Sequence, residues 1–276
     1  MIGFKFTYNQ SDFMKFPIRA AVCLTTCAAF FSSHLHATIV EFVTSQGNVR
    51  VNLHDTTTPK TVENFLSYVN DGAYQDTIIH RLEHNFVVQG GGFKYDNGFE
   101  HVAVEAGDTV ENEPELSNVK GTIAMAKVAG NPDSATNQWF FNIADNSANL
   151  DLQNGGFTVF GQVVEEDMPV LEAMQDLTRC LNTYGNTPMF NYSAEQCTDG
   201  VLPGYENFVT VYAINVIDSN QVTDSELDKT PNTLIDQQPG NGGNNGGNNG
   251  GSSSGGGAAY WLLLLGAFGL LRKRLK

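Results

Sequence analysis

Two stretches of the chain concentrate residues whose types could do chemistry. The first is Ile79-His80-Arg81-Leu82-Glu83-His84-Asn85-Phe86-Val87-Val88-Gln89-Gly90-Gly91-Gly92-Phe93. The second is Gly121-Thr122-Ile123-Ala124-Met125-Ala126-Lys127, followed after a loop by Ser134-Ala135-Thr136-Asn137-Gln138-Trp139-Phe140-Phe141-Asn142. Arg81 supplies a permanent charge and five donors, Gln89 a donor and an acceptor, and the aromatics apolar surface. Hydrolysis through a nucleophile fits poorly. No Gly-x-Ser-x-Gly elbow occurs, and His54, His80, His84 and His101 have no recognisable nucleophile partner. His80 reads as a satisfied structural histidine beside Arg81. Metals fit no better: Glu111-Asn112-Glu113-Pro114-Glu115 lacks the alternation and Gly of a calcium loop and reads as a solvated loop. Cys180 and Cys197, with no nearby His, are too few for zinc. No cofactor or metal is implied.

The elements that must position these residues are mostly strands. Thr38 to Val43 and Asn48 to Leu53 alternate with period 2 across a Ser45-Gln46-Gly47 hairpin signal. Further strand-like runs occur at Thr77 to Arg81, Phe86 to Gly90, Gly121 to Ala126, Trp139 to Ile143, Phe157 to Val164 and Phe208 to Ile217. Pro59 to Val69 has helical spacing, with Val62, Phe65, Leu66 and Val69 inward and Asn70-Asp71-Gly72 as the stop. A second helix is expected over Met168 to Leu177, capped by Asp167, with Val170, Leu171, Met174 and Leu177 inward. These patterns predict a mainly β fold: a closed eight-stranded antiparallel barrel capped by two helices.

The two ends carry a different kind of information. Residues 1–37 read as a secretory signal: Lys15 and Arg19, the apolar run Ala20 to Phe31, then a small-residue exit at Ala37. Met14 is the expected start, which gives a signal of 24 residues. Residues 220–257 read as a Gly/Asn/Ser-rich linker whose tract Gly240 to Gly257 neither follows a strand nor opens a phosphate-binding helix. Residues 258–276 hold a short apolar run, Ala258 to Leu271, and the basic tail Arg272-Lys273-Arg274-Leu275-Lys276. As a helix the run would cover ~21 Å against the ~30 Å of a hydrocarbon core. This end resembles the GlyGly-CTERM sorting signals, which implies transient inner-membrane anchoring and removal by a rhombosortase-type protease; a plain C-terminal membrane anchor is the alternative. In the oxidising compartment that export implies, Cys180 and Cys197 are expected to form one disulfide that staples a loop.

The body between these ends, read as one domain over residues 38–219, resembles the cyclophilin-type peptidyl-prolyl cis-trans isomerases, particularly the bacterial periplasmic ones. The family pattern His-Arg-x-x-x-x-Phe-x-x-Gln-Gly-Gly is met by His80, Arg81, Phe86, Gln89, Gly90 and Gly91. Gly121, Met125, Ala126, Gln138 and Phe140 meet the second pattern, with Asn137 and Trp139 as substitutions, and Val159-Phe160-Gly161-Gln162-Val163 meets a third. The resemblance implies catalysis by Arg81, oriented by Gln89. It also implies pocket walls from Phe86, Phe140 and Leu150, backbone contacts from Ala126 and Lys127, and a rim at Gln138. Three departures touch the pocket: Val87 stands where Met is frequent, Asn149 precedes Leu150-Asp151 in place of an aromatic, and Phe157 replaces His or Tyr. The loss at Asn149 is expected to weaken cyclosporin A binding. The implied activity is isomerisation of X-Pro bonds in exported polypeptides by a monomer. A surface-displayed binding or chaperone module with little turnover is the alternative.

Charge excludes one further class of partner. Of 15 basic and 30 acidic residues, three basic and one acidic precede Thr38 and four basic follow Leu271, which leaves 8 against 29 and about −21 on the body. A phosphate backbone is not the partner of so acidic a surface.

Overall fold

The structure is a computed structural model that describes residues 37–96, 101–181, 185–221 and 229–237, with Gly3 and Leu227. Apart from Gly3, the signal-like segment up to His36 lies outside the described residues, as do the Gly-rich tract from Gly240 and the apolar tail from Ala258, and the folded body belongs to the unit from Leu35 onward. Among the described residues no helix is long and apolar enough to cross a membrane.

In chain order the body runs β1 (Ala37–Thr44), β2 (Gly47–Leu53), α1 (Pro59–Asn70), β3 (Thr77–Ile78), β4 (Arg81–Glu83), β5 (Val87–Gly90), β6 (Phe93–Lys94) and β7 (Val102–Ala103). It continues with β8 (Thr122–Met125), β9 (Trp139–Asn142), α2 (Ser147–Leu150), β10 (Val159–Val163), α3 (Met168–Ala173), β11 (Thr178–Arg179), β12 (Pro188–Met189), α4 (Ala194–Asp199) and β13 (Thr210–Gln221). Eleven strands form one antiparallel sheet in the order β4-β5-β9-β8-β10-β2-β1-β13-β3-β6-β7, while β11 and β12 pair separately. Only Ile79 and His80 separate β3 from β4, yet those strands lie near opposite ends of the sheet. Two residues span at most ~7 Å, so the sheet has to curl to bring its ends together.

This corrects the expected architecture in three respects. Every expected strand exists, but the sheet has eleven strands with ends at β4 and β7, and among the described residues no ladder joins those ends. The run Thr77 to Arg81 is split because the chain changes neighbours: Ile79 N–H donates to Val209 O beside β13, and His80 N–H donates to Gln89 O in β5. Among the described residues four α-helices replace the expected two. The second expected helix ends as α3 at Ala173, then tightens through a 3-10 turn at Met174–Asp176 to an extended Leu177. Asp167 does not cap it. Its carboxylate is taken by Arg50, which donates from the backbone N (2.9 Å), Nε (2.7 Å) and Nη2 (3.0 Å).

Strand alternation sorts the apolar residues onto two faces. Val88, Ile123, Met125, Trp139, Phe141 and Phe160 join Phe42 from β1 and Val62 and Phe65 from α1 in the main core. Edge and stacked ring contacts, such as Phe42 to Trp139 at 5.0 Å, fill it. The intervening residues Val87, Ala124, Phe140 and Val159 form a second, smaller cluster on the opposite face with Leu116, Leu150 and Phe157. Central strands buried on both faces read as continuous apolar runs, as β8 and β9 do. A third cluster surrounds the bonded pair Cys180–Cys197, whose Cα atoms are 5.4 Å apart.

The start of α1 is satisfied from a distance. Pro59 occupies its first turn, and the carboxylate of Glu113 accepts from Lys60 N (3.3 Å), Thr61 N (2.9 Å) and Thr61 Oγ1 (2.8 Å). A carboxylate there complements the positive end of the helix dipole. The acidic loop is therefore partly structural, not simply solvated.

Candidate active site

The second face of the sheet builds a cleft. Pairing places Arg81 opposite Gln89, Gln89 opposite Phe140, Phe140 opposite Ala124 and Ala124 opposite Val159, one row across five adjacent strands. Residues in one row point to the same face, so a charged donor, an amide and an aromatic wall are presented side by side by backbone pairing alone. Arg81, Phe86, Val87, Gln89, Ala126, Lys127, Phe140, Leu150 and Phe157 together line one cleft. Nine of the ten residues expected from the sequence thus meet in one place. Gln138, the tenth, stands behind Gln89, and Asn149 does not line the cleft.

The polar end is a relay of side chains. Arg81 Nη1 donates to Gln89 Oε1 (3.2 Å), and Gln89 Nε2 donates to Gln138 Oε1 (3.0 Å). Space for Gln138 comes from the glycine run: a Cβ at Gly92 would lie 2.8 Å from Gln138 Cδ. Gly91, at φ +80, would place one 2.6 Å from Asn137 O. Burial lowers the Arg81 guanidinium from its ordinary value while Glu83 opposes the shift, and a guanidinium keeps its proton regardless. Arg81 Nη2 reaches Glu83 Oε1 at 3.4 Å, and Asn186 Nδ2 donates to the same oxygen. The outer edge of β4 is held by the disulfide region: Leu82 N–H donates to Asn186 O (2.7 Å), and Arg179 Nη1 donates to Leu82 O (3.2 Å).

His80 is buried beside Arg81 as a structural residue. Burial, then the Arg81 charge, lowers it to about 3, and its ring meets Phe93 edge-on at 4.9 Å. The Ile78 backbone and the Gln138 side chain oppose that shift, yet neither ring nitrogen makes a hydrogen bond of good geometry among the described residues, so the histidine is structural and only weakly satisfied.

The apolar end joins strand residues to the segment from α2 to Phe157. Phe140 and Phe157 pack edge to face at 5.8 Å, Val87 is buried beside them, and Leu150 closes the wall. Lys127 takes part through its side chain. Its ammonium turns inward to donate to Asn112 Oδ1 (3.0 Å), Asn154 O (3.0 Å) and Gly156 O (2.5 Å), and lies 4.9 Å from the Phe157 ring centroid. Burial pushes it down to about 8, with Asp133 opposing. Asp151, 1 % exposed, holds the adjoining loop by accepting from Ser117 Oγ (2.5 Å), Asn118 N (2.7 Å) and Asn118 Nδ2 (3.0 Å).

Glu83, Asp151, Asn112 and Asn118 went unassigned in the sequence. A signal existed for Glu83, which stands two residues from Arg81 in the same strand and so on the same face. None existed for the asparagines, whose partners lie tens of residues away.

The chemistry open to this arrangement is set by its parts. An apolar slot can hold a small ring, and a fixed cationic donor at its lip can stabilise charge or a lone pair there. Residues 39–195 match the family model described as cyclophilin type peptidyl-prolyl cis-trans isomerase/CLD. A peptidyl-prolyl cis-trans isomerase of Acinetobacter baylyi is 37% identical over 166 residues, 59% of this chain and 85% of the relative. Peptidyl-prolyl cis-trans isomerase A of Dickeya dadantii is 39% identical over 176 residues, 62% of this chain and 90% of the relative. A solved cyclophilin type isomerase of Cryptosporidium parvum is 23% identical and covers 67% of this chain and 99% of its own, with a TM-score of 0.45.

Proposed function

The chain belongs to the cyclophilin-type peptidyl-prolyl cis-trans isomerases and is a peptidyl-prolyl cis-trans isomerase, and we propose that it works by non-covalent stabilisation of a twisted X-Pro amide at Arg81. Rotation about a peptide bond faces a barrier of ~18–20 kcal/mol because amide resonance must be lost. For X-Pro the two isomers are close in energy, and exchange takes tens to hundreds of seconds. No proton is transferred and no bond is broken. A catalyst needs only to bind the twisted form better than either planar form.

In that form the prolyl nitrogen is pyramidal and carries a lone pair. The proline ring enters the slot between Phe140, Leu150, Phe157 and Val87. The Arg81 guanidinium then donates toward the nitrogen, while Gln89 fixes its direction from behind. The observation that carries this reading is the row Arg81–Gln89–Phe140, which sets a charged donor beside an apolar slot through strand register. Catalysis of this kind requires no cofactor.

Substitution Arg81→Ala in the full chain, followed in a proline-limited peptide assay, should lower kcat/KM by about 10²-fold, the usual cost of deleting one preorganised donor. An unchanged rate would remove Arg81 from the mechanism. We further propose that residues 1–37 direct export and that the Gly-rich, apolar and basic C-terminal run acts as a sorting signal or anchor. Clients would then be exported proline-containing polypeptides. Mass spectrometry of the protein from membrane and medium fractions tests this, since both processing sites would appear as defined termini.

A further inference from the structure

Beyond the last strand, Lys229–Gln237 returns to the body and lies against the loop-built wall of the cleft. Ser117 N–H donates to Thr230 O (2.8 Å), Asn232 N–H donates to Glu115 O (2.9 Å), and Leu116 and Pro231 form an antiparallel bridge between these bonds. Leu116 belongs to the same apolar cluster as Phe140, Leu150 and Phe157. Lys229 Nζ donates to Thr57 Oγ1 (3.2 Å) at the other end of the segment.

Asn232 is the centre of the contact and is only 5% exposed. Its Oδ1 accepts from Leu234 N and Ile235 N, both at 3.1 Å, a turn that fixes the side chain. Its Nδ2 donates to Asp151 O (3.0 Å), the backbone of the residue after Leu150. A Cβ on Gly156, the neighbour of Phe157, would lie 3.3 Å from that same Nδ2. One amide therefore touches the segment behind Leu150 and closes on the segment behind Phe157.

We infer that Asn232 is a positioning residue for the proline slot, which acts through Asp151 to set the wall that Leu150 and Phe157 form. The inference rests on the cleft being the substrate site. A wall shifted by a few tenths of an ångström should weaken ring binding while leaving the Arg81–Gln89 pair in place. The expected signature is a change in KM without a matching change in kcat.

The experiment uses the full chain with Asn232→Ala, Asn232→Asp and Leu150→Ala in the proline-limited peptide assay, well below each melting temperature. Asn232→Asp keeps the acceptor for Leu234 and Ile235 but loses the donor to Asp151, so it separates the turn from the wall contact. Both Asn232 variants should raise KM about 3–10-fold, with kcat within twofold. Wild-type KM in both, with Leu150→Ala impaired, would overturn the inference and keep the site. Wild-type behaviour in Leu150→Ala would instead overturn the site and the inference with it. Wild-type KM in Asn232→Asp alone would assign the effect to the turn, against the proposed contact. Failure of both Asn232 variants to fold would assign the segment to the stability of the whole body and likewise overturn it.

Discussion

The two sides of the cleft are held in different ways. On one side Arg81, Gln89 and Phe140 stand in register on adjacent strands, fixed by the same backbone bonds that make the sheet. On the other, Lys127, Leu150 and Phe157 depend on side chains that reach loop carbonyls and amides: Lys127 to Gly156, Asp151 to Asn118, and Asn232 to Asp151. A strand side loses position only if the sheet itself opens. A loop side loses position one hydrogen bond at a time. The donor of the proposed mechanism is therefore on the rigid side, while the wall of the proposed slot is on the side with separable supports.

Three substitutions test this contrast, in decreasing order of expected effect. Asp151→Asn, on the loop side, replaces a buried carboxylate that accepts from three donors. It should cost about 1.5–3 kcal/mol in denaturant unfolding, the range for hydrogen bonds to charged groups, and should also raise KM. A loss of stability with KM untouched would show that the wall does not depend on this hub.

Glu83→Gln, on the strand side, weakens the lateral hold on Arg81 but leaves the Gln89 bond and the ladder intact. The expected result is a fall in kcat of roughly twofold to fivefold with KM and melting temperature unchanged, as for a partner that only orients a transition-state donor. If KM moved instead, strand and loop sides would not be separable in the way described.

Lys127→Met has the smallest effect, seen as a pH dependence. The folded-state amine titrates near 8, below its ordinary 10.5, because burial disfavours the charge. Below pH 8 the lysine is charged in both states and the full burial cost is present. Between about 8 and 10.5 the unfolded chain binds more protons, so wild-type stability should rise relative to the methionine variant over that window. Over the same range the neutral amine has two donors for three acceptors, so wild-type KM should climb while the variant's stays flat. Parallel KM profiles for the two proteins would break the link between this cation and the Phe157 wall.

Legibility in the sequence divides along the same line. Period-2 runs located every long strand, and the motifs located the cleft's lining, because both signals are local in the chain. Strands β6, β7, β11 and β12 are two residues each and leave no periodicity to detect. The break between β3 and β4 depends on which neighbour each residue finds, and no local pattern encodes that. Asp167 occupies a position that suits a helix cap, but Arg50, 117 residues away, takes its carboxylate with three bonds, two from the guanidinium and one from the backbone N. Lys127 was legible as part of a motif but not as a buried cation, since its acceptors are a side chain and two loop carbonyls. Asn232 lies in a stretch whose composition suggests only a linker, and its partner is 81 residues upstream.

The covering of β4 by the disulfide region has a consequence for a peptidyl-prolyl isomerase, whose substrates are peptide chains. β4 ends the sheet, and a free sheet edge invites any passing extended segment to pair with it. Such pairing would compete with the proposed slot and seed aggregation. In β4 the outward N–H and C=O of Leu82 are both already engaged, by Asn186 and Arg179. The strand that carries Arg81 can thus stand at the border of the sheet, with its face open to the cleft and its rim closed to added strands.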